Sequence, residues 1–220
     1  MTDWNAFFLW VRGPAFDVAL AVFLIGIVLR LFEILLLGRD RDLAPGRAGE
    51  MGSGLSTVLR RQLPDTGTFK RAPFMVIAGY LWHVGFFVAL LLFVPHIELV
   101  HGSFGISWPG LPNPLVDAAT AVTIVALLAL LVRRLTHPVL RYLSGLEDYL
   151  VWAVTLLPLL TGYLAYHRMI NPYPLAMGLH VLSVELLMVV FPFTKLMHAV
   201  TFLMARYYNG AIQGRKGAES

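Results

Sequence analysis

The chain has 220 residues, 58% of them hydrophobic and only 14% charged, with a formal net charge of +4 and no cysteine. Soluble domains carry about 25% charged residues, so the composition excludes an ordinary soluble fold and points to a membrane protein. Without cysteine, the chain itself can form no disulfide, thiolate-ligated haem or conventionally held iron–sulfur cluster.

Five apolar segments have spanning length, near residues 15–37, 73–94, 114–132, 149–166 and 175–205. Segments this long and apolar predict helices rather than barrel strands, and hence an all-α five-helix membrane bundle in a single domain. The first segment is too long for the apolar part of a signal peptide. It also lacks a basic lead-in and a small-x-small cleavage site, so it is expected to remain as a span. Within it, Arg30 and Glu33 are spaced to pair with each other. Residues 38–72 form a polar loop carrying Arg39, Arg41, Arg47, Arg60, Arg61, Lys70 and Arg71. The second segment contains His83 and is followed by Pro95 and His96, and the 95–113 loop has no Lys or Arg. Arg133, Arg134 and Arg141 join the third and fourth segments, and Arg206, Arg215 and Lys216 follow the fifth. The positive-inside rule then puts the N-terminus outside and both the 38–72 loop and the C-terminus in the cytoplasm. Topology accounts for the positive charge, which is therefore not read as nucleic-acid binding.

The fifth segment holds His180 and His198, eighteen residues apart. On one straight helix that is five whole turns, which places both imidazoles on one face roughly 27 Å apart. Ionisable side chains inside a span are costly and point to function, and imidazole is a standard ligand of haem iron. Counting along the helices, His83 lies roughly 15 Å and His198 roughly 12 Å from the cytoplasmic edge. This depth match on two helices suits bis-histidine ligation of one haem b. On the same scale His180 lies roughly 39 Å and His96 roughly 34 Å from that edge. His96 is turned about 220° from His83 on a continuous helix, a direction that Pro95 could change by bending the helix end. A membrane histidine can alternatively hydrogen-bond a neighbouring helix. His101, His137 and His167 read as surface histidines. Lys195 could hold a haem propionate or snorkel to the headgroups, and Arg30 could also reach a propionate. Glu185 could pass protons outward or sit hydrogen-bonded between helices.

Residues 177–207 read MGLHVLSVELLMVVFPFTKLMHAVTFLMARY. The FPFTKLMH block at 191–198, with the upstream LH at 179–180, closely resembles the last helix of the gamma subunit of respiratory nitrate reductase, a five-helix dihaem cytochrome b. LWHVGFF at residues 81–87 resembles that family's second-helix LFHIG motif. The resemblance implies that His83 and His198 ligate the haem nearer the cytoplasm, and that His180 ligates the haem nearer the outside. The family's partner for that outer ligand stands ten residues after the first histidine, where this chain has Phe93. Phenylalanine cannot ligate iron, so either the outer haem is absent or another residue, His96, takes its place; two haems are expected.

The expected function is electron transfer as a haem b membrane subunit of a respiratory complex in the cell's inner membrane. Quinol or quinone would be the diffusible substrate. An iron–sulfur subunit, nitrate-reductase-like or heterodisulfide-reductase-like, would dock on the cytoplasmic loop and tail and lead to a further catalytic subunit. The alternative is a haem-free anchor or a transporter-like bundle. Against the latter, no Gly/Pro half-helix breaks recur in paired segments.

Overall fold

The computed structural model describes residues 3–36, 45–47 and 49–218, and among these there are helices and no strand. The elements are α1 (Trp4–Trp10), a π turn (Val11–Ala15), α2 (Phe16–Leu36), α3 (Glu50–Arg60), α4 (Thr66–Arg71), α5 (Pro73–Leu91) and α6 (Val94–Phe104). They continue with α7 (Asn113–Thr136), α8 (Pro138–Leu143), α9 (Leu146–Tyr166), α10 (Tyr173–Val190), two 3-10 turns (Phe191–Phe193 and Lys195–Met197) and α11 (His198–Arg215). Five helical stretches are long and apolar enough to cross a membrane: Trp4–Leu36, Pro73–Leu91, Asn113–Thr136, Leu146–Tyr166 and Tyr173–Phe193. By length and composition this is an all-helical, multi-pass membrane protein.

Three of the five stretches depart from the expected segments for local reasons. The first starts earlier than residue 15, at Trp4, because the Asp3 carboxylate caps it by accepting from the backbone N–H groups of Asn5 and Ala6 at 3.1 Å each. Pro14 sits in the π turn, where the ladder adapts to its missing N–H. The second stretch stops at Leu91. Phe93 is extended, and α6 begins with Pro95 in its first turn, where the missing donor costs nothing. The fifth is not one helix from 175 to 205. Pro192 ends α10 in a 3-10 turn, Thr194 is extended at φ −130° and ψ −178°, and its hydroxyl accepts from the Leu196 N–H. The five-turn, one-face relation between His180 and His198 therefore does not hold, because it requires an unbroken helix.

The chain divides into two compact units, Met1–Phe23 with Phe74–Val190, and Leu24–Pro73 with Phe191–Ser220. The core of the first unit is built on Leu127, Leu156 and Leu159, against which Trp82, Phe86 and Trp152 pack. The Trp152 indole donates to the Leu127 carbonyl at 2.9 Å, which ties α9 to α7. An Asp117–His167 contact of 2.7 Å ties the start of α7 to the end of α9. After α6 the chain turns back on α5: Trp108 donates to the Leu91 carbonyl at 2.6 Å and the Leu111 N–H to the Leu92 carbonyl at 2.9 Å. These bonds occupy carbonyls that the end of a helix leaves without partners.

The second unit is organised by α3 packed along α11. Gly210 faces Thr57 and Gly214 faces Ser53 so closely that a Cβ at either glycine would collide. Small residues four apart let two helix backbones approach in this way. Arg215 bonds Glu50 at 2.6 Å, and the Arg47 N–H donates to the Arg215 carbonyl at 2.8 Å. Residues 38–72 are thus more than a polar connection, since they contain α3 and α4. Arg39 and Arg41 lie outside the described residues. Asp65 caps α4, and its hydrogen bonds with Thr68, side chain first, hold its carboxyl below the usual carboxylate range.

Candidate cofactor site

The break at Phe93 and the return along α10 bring two histidines together in the first unit. His96 stands in the first turn of α6. Its Nδ1 donates to the carbonyls of Ala89 and Leu90, at 2.9 and 3.2 Å, at the end of α5. On α10, the His180 Nδ1 lies 3.4 Å from the Thr161 hydroxyl. That hydroxyl donates to the Leu157 carbonyl at 2.7 Å, so its oxygen remains an acceptor for the ring. Ser183 completes the cluster, 2.9 Å from the Thr161 oxygen and donating to the His180 carbonyl at 2.6 Å. In both rings Nδ1 meets an oxygen of the protein. His96 lies beyond the second span. Burial pushes its imidazole below the ordinary value against the raising effect of the Ala89 and Leu90 carbonyls, so it is neutral at pH 7.

The two rings are nearly parallel, at 11°, with centroids 6.2 Å apart. A nitrogen–metal bond is about 2 Å, and the centre of an imidazole lies about 1 Å behind its nitrogen. Two imidazoles on one metal therefore have centres roughly 6 Å apart. Among the described residues there is no group of three or more His, Asp or Glu side chains that could hold a metal ion. A haem takes as few as two axial ligands from the protein, a number that His96 and His180 can supply. Room for the His180 ring comes from Gly162 on α9, where a Cβ would lie 2.9 Å from Cε1 and 3.1 Å from Nδ1 of His180. Phe93, at the N-cap of α6, presents its edge to His96 at 5.2 Å and to Tyr166 at 5.5 Å.

The other expected site residues are distributed differently. His83, on α5 in the first unit, donates from Nδ1 to the Gly79 carbonyl at 2.7 Å, and its ring lies 3.7 Å from that of Trp82. His198 belongs to the second unit, at the start of α11, where its Nδ1 meets the Lys195 carbonyl at 2.7 Å. In each, Nδ1 is engaged by a backbone carbonyl of its own helical turn. Lys195 is exposed on the 3-10 turn before His198. Arg30 pairs with Glu33 at 2.7 Å and donates from Nε to the Pro192 carbonyl at 3.2 Å, so it braces the turn that ends α10. Glu185 is buried on α10, and its Oε1 has no hydrogen-bond partner among the described residues. His101 and His137 are exposed, while His167 is paired with Asp117.

Sequence reasoning missed Thr161, Ser183 and Gly162. A serine, a threonine and a glycine inside apolar spans carry no pattern that distinguishes a ring-holding role from ordinary helix packing. No family model matches the chain. A protein of Nitratidesulfovibrio vulgaris (strain Hildenborough) is 30% identical over 203 residues, covering 90% of this chain and 89% of its own length. A likeness at that level across nearly the whole of both chains places this chain in the same family as the N. vulgaris protein.

Proposed function

We propose that the protein is a haem b subunit of a respiratory redox complex, related to the gamma subunit of nitrate reductase. It transfers electrons between the quinone pool and a cytoplasmic iron–sulfur subunit. The observation that carries this reading is the His96–His180 pair, with parallel rings, centroids 6.2 Å apart and both Nδ1 atoms held. Haem b bound there supplies a one-electron redox centre. His96 and His180 would hold its iron, with Thr161 and the end of α5 orienting the two rings and Gly162 leaving space for one of them. A second haem rests on the family resemblance at His83 and His198, with Lys195 and Arg30 as propionate partners. The basic residues put the N-terminus outside and the C-terminus in the cytoplasm of the inner membrane, so His96 and His180 lie toward the outside. Further along α10, just past the middle of its span, Glu185 is a buried carboxyl able to take up and release the protons of quinol chemistry.

Optical spectroscopy of the purified protein tests this. A dithionite-reduced spectrum with a b-type alpha band, and two haems per chain by pyridine haemochrome, are expected. His96→Ala and His180→Ala should each remove one haem and leave the other. A haem-free wild type overturns the reading in favour of an anchor or transporter-like bundle. One haem that survives both substitutions removes the outer site.

A further inference from the structure

The first unit has a second site at the opposite end from His96. Asp117, near the start of α7, bonds His167 beside the Tyr166–Phe93–His96 cluster. Arg133 lies sixteen residues further along α7, roughly 24 Å away. It lines a largely apolar recess together with Thr136 and His137, and its guanidinium lies over the Phe74 ring at 5.5 Å. Its Nε is buried with no acceptor, and it forms no ion pair among the described residues. The neighbouring Arg134, by contrast, bonds Ser144 at 2.8 Å and approaches Asp148 at 3.6 Å. Phe74 and Ala129 also line an apolar groove of about 450 Å³ that continues from this recess between α5 and α7. The groove is opened by small residues, Ala78, Ala121, Ala126 and Ala129, and it is almost free of polar surface.

A permanently charged donor without an acceptor, at the end of a spanning helix and at the head of an apolar groove, fits a ligand with a matching division. That ligand has an anionic head at interface depth and a hydrocarbon tail along the helices. We propose that this groove binds one anionic phospholipid, with its phosphate accepting from Arg133 and an acyl chain lying between α5 and α7. A full positive charge is satisfied by a phosphate better than by the neutral carbonyl of a quinone. The site also lies roughly 24 Å from the end of the unit that holds His96. The inference is independent of the haem reading.

Native mass spectrometry of the full chain in mild detergent, titrated with phosphatidylglycerol or phosphatidylcholine, tests it. One tightly retained phosphatidylglycerol is expected, with phosphatidylcholine and inorganic phosphate failing to displace it. Arg133→Gln should weaken retention roughly tenfold, the value of one charge-assisted hydrogen bond. Ala129→Trp, which keeps the cation and blocks the groove, should also lose the lipid. Equal retention of both lipids, or wild-type retention in both folded variants, overturns the site. So does recovery of a quinone in place of lipid from the wild type but not from Ala129→Trp.

Discussion

At His180 the decisive neighbour is a hydrogen atom. Gly162 presents no side chain, and the imidazole occupies the space a Cβ would take, at 2.9 Å from Cε1. A methyl there forces the ring to shift by a few tenths of an ångström, and a larger side chain cannot share the space. Gly162→Leu should therefore lower the haem content by about one per chain while leaving the alpha band of the remaining haem. Pyridine haemochrome assay reads this directly, and unchanged helicity by circular dichroism separates it from global misfolding. Phe93 gives a second test at this scale. It caps α6 and turns its edge toward His96, so a histidine at this position approaches His96 rather than replacing it. The double change His96→Ala with Phe93→His is expected to leave haem content at the His96→Ala level. Recovery of the lost haem would show that the second-helix position of nitrate reductase gamma subunits is also usable here.

The spans were legible because apolar runs near 20 residues have few other uses. The interruptions were harder to read. Pro95 and Pro192 stand in plain sight, but a proline in a span can kink a helix, start a new one or be accommodated, and neighbouring hydrogen bonds decide which. At residue 93 the new start puts His96 beside His180, although a continuous helix would have turned it away. At residue 192 the break removes the single-face relation between His180 and His198. Polar residues hid α3 inside what read as a loop, although Met51, Leu55 and Leu59 recur four apart and Gly210 and Gly214 mark the matching face of α11. That hairpin makes its own prediction. Gly210→Leu should destabilise the α3–α11 pairing by about 1–3 kcal/mol through overpacking. Limited proteolysis should then cut within residues 45–65 faster than in wild type, whereas Asn209→Ala, at an exposed position off the glycine face, should not change the rate.

For the whole molecule, the absence of cysteine becomes an experimental advantage, since any introduced thiol is the sole label site. Thiols at Asp65 and Ser103 should react with an impermeant maleimide from opposite sides of sealed inverted vesicles, Asp65 from the outer face of the inverted membrane and Ser103 only after permeabilisation. Labelling of both from one side would overturn the topology that the arginines indicate. On the proposed orientation α3 lies on the cytoplasmic side, where the proposed partner subunit would dock. One face of α3 is committed to α11 through Ser53, Gly54 and Thr57. Roughly 140° round the helix, Met51, Leu55 and Leu59 form an exposed apolar stripe. Contiguous exposed apolar surface rimmed by charge commonly marks an interaction site, and Arg60 and Arg61 stand at the end of this one. An iron–sulfur subunit with an apolar patch edged by carboxylates would match it. Leu55→Glu with Leu59→Glu changes only the outward face, so the α3–α11 hairpin and the haem content should stay as in wild type. Co-purification of the soluble subunits should fall sharply. A full complex recovered with this double variant would move the docking surface elsewhere, and a loss of haem would mean that α3 packs against the membrane core rather than a partner.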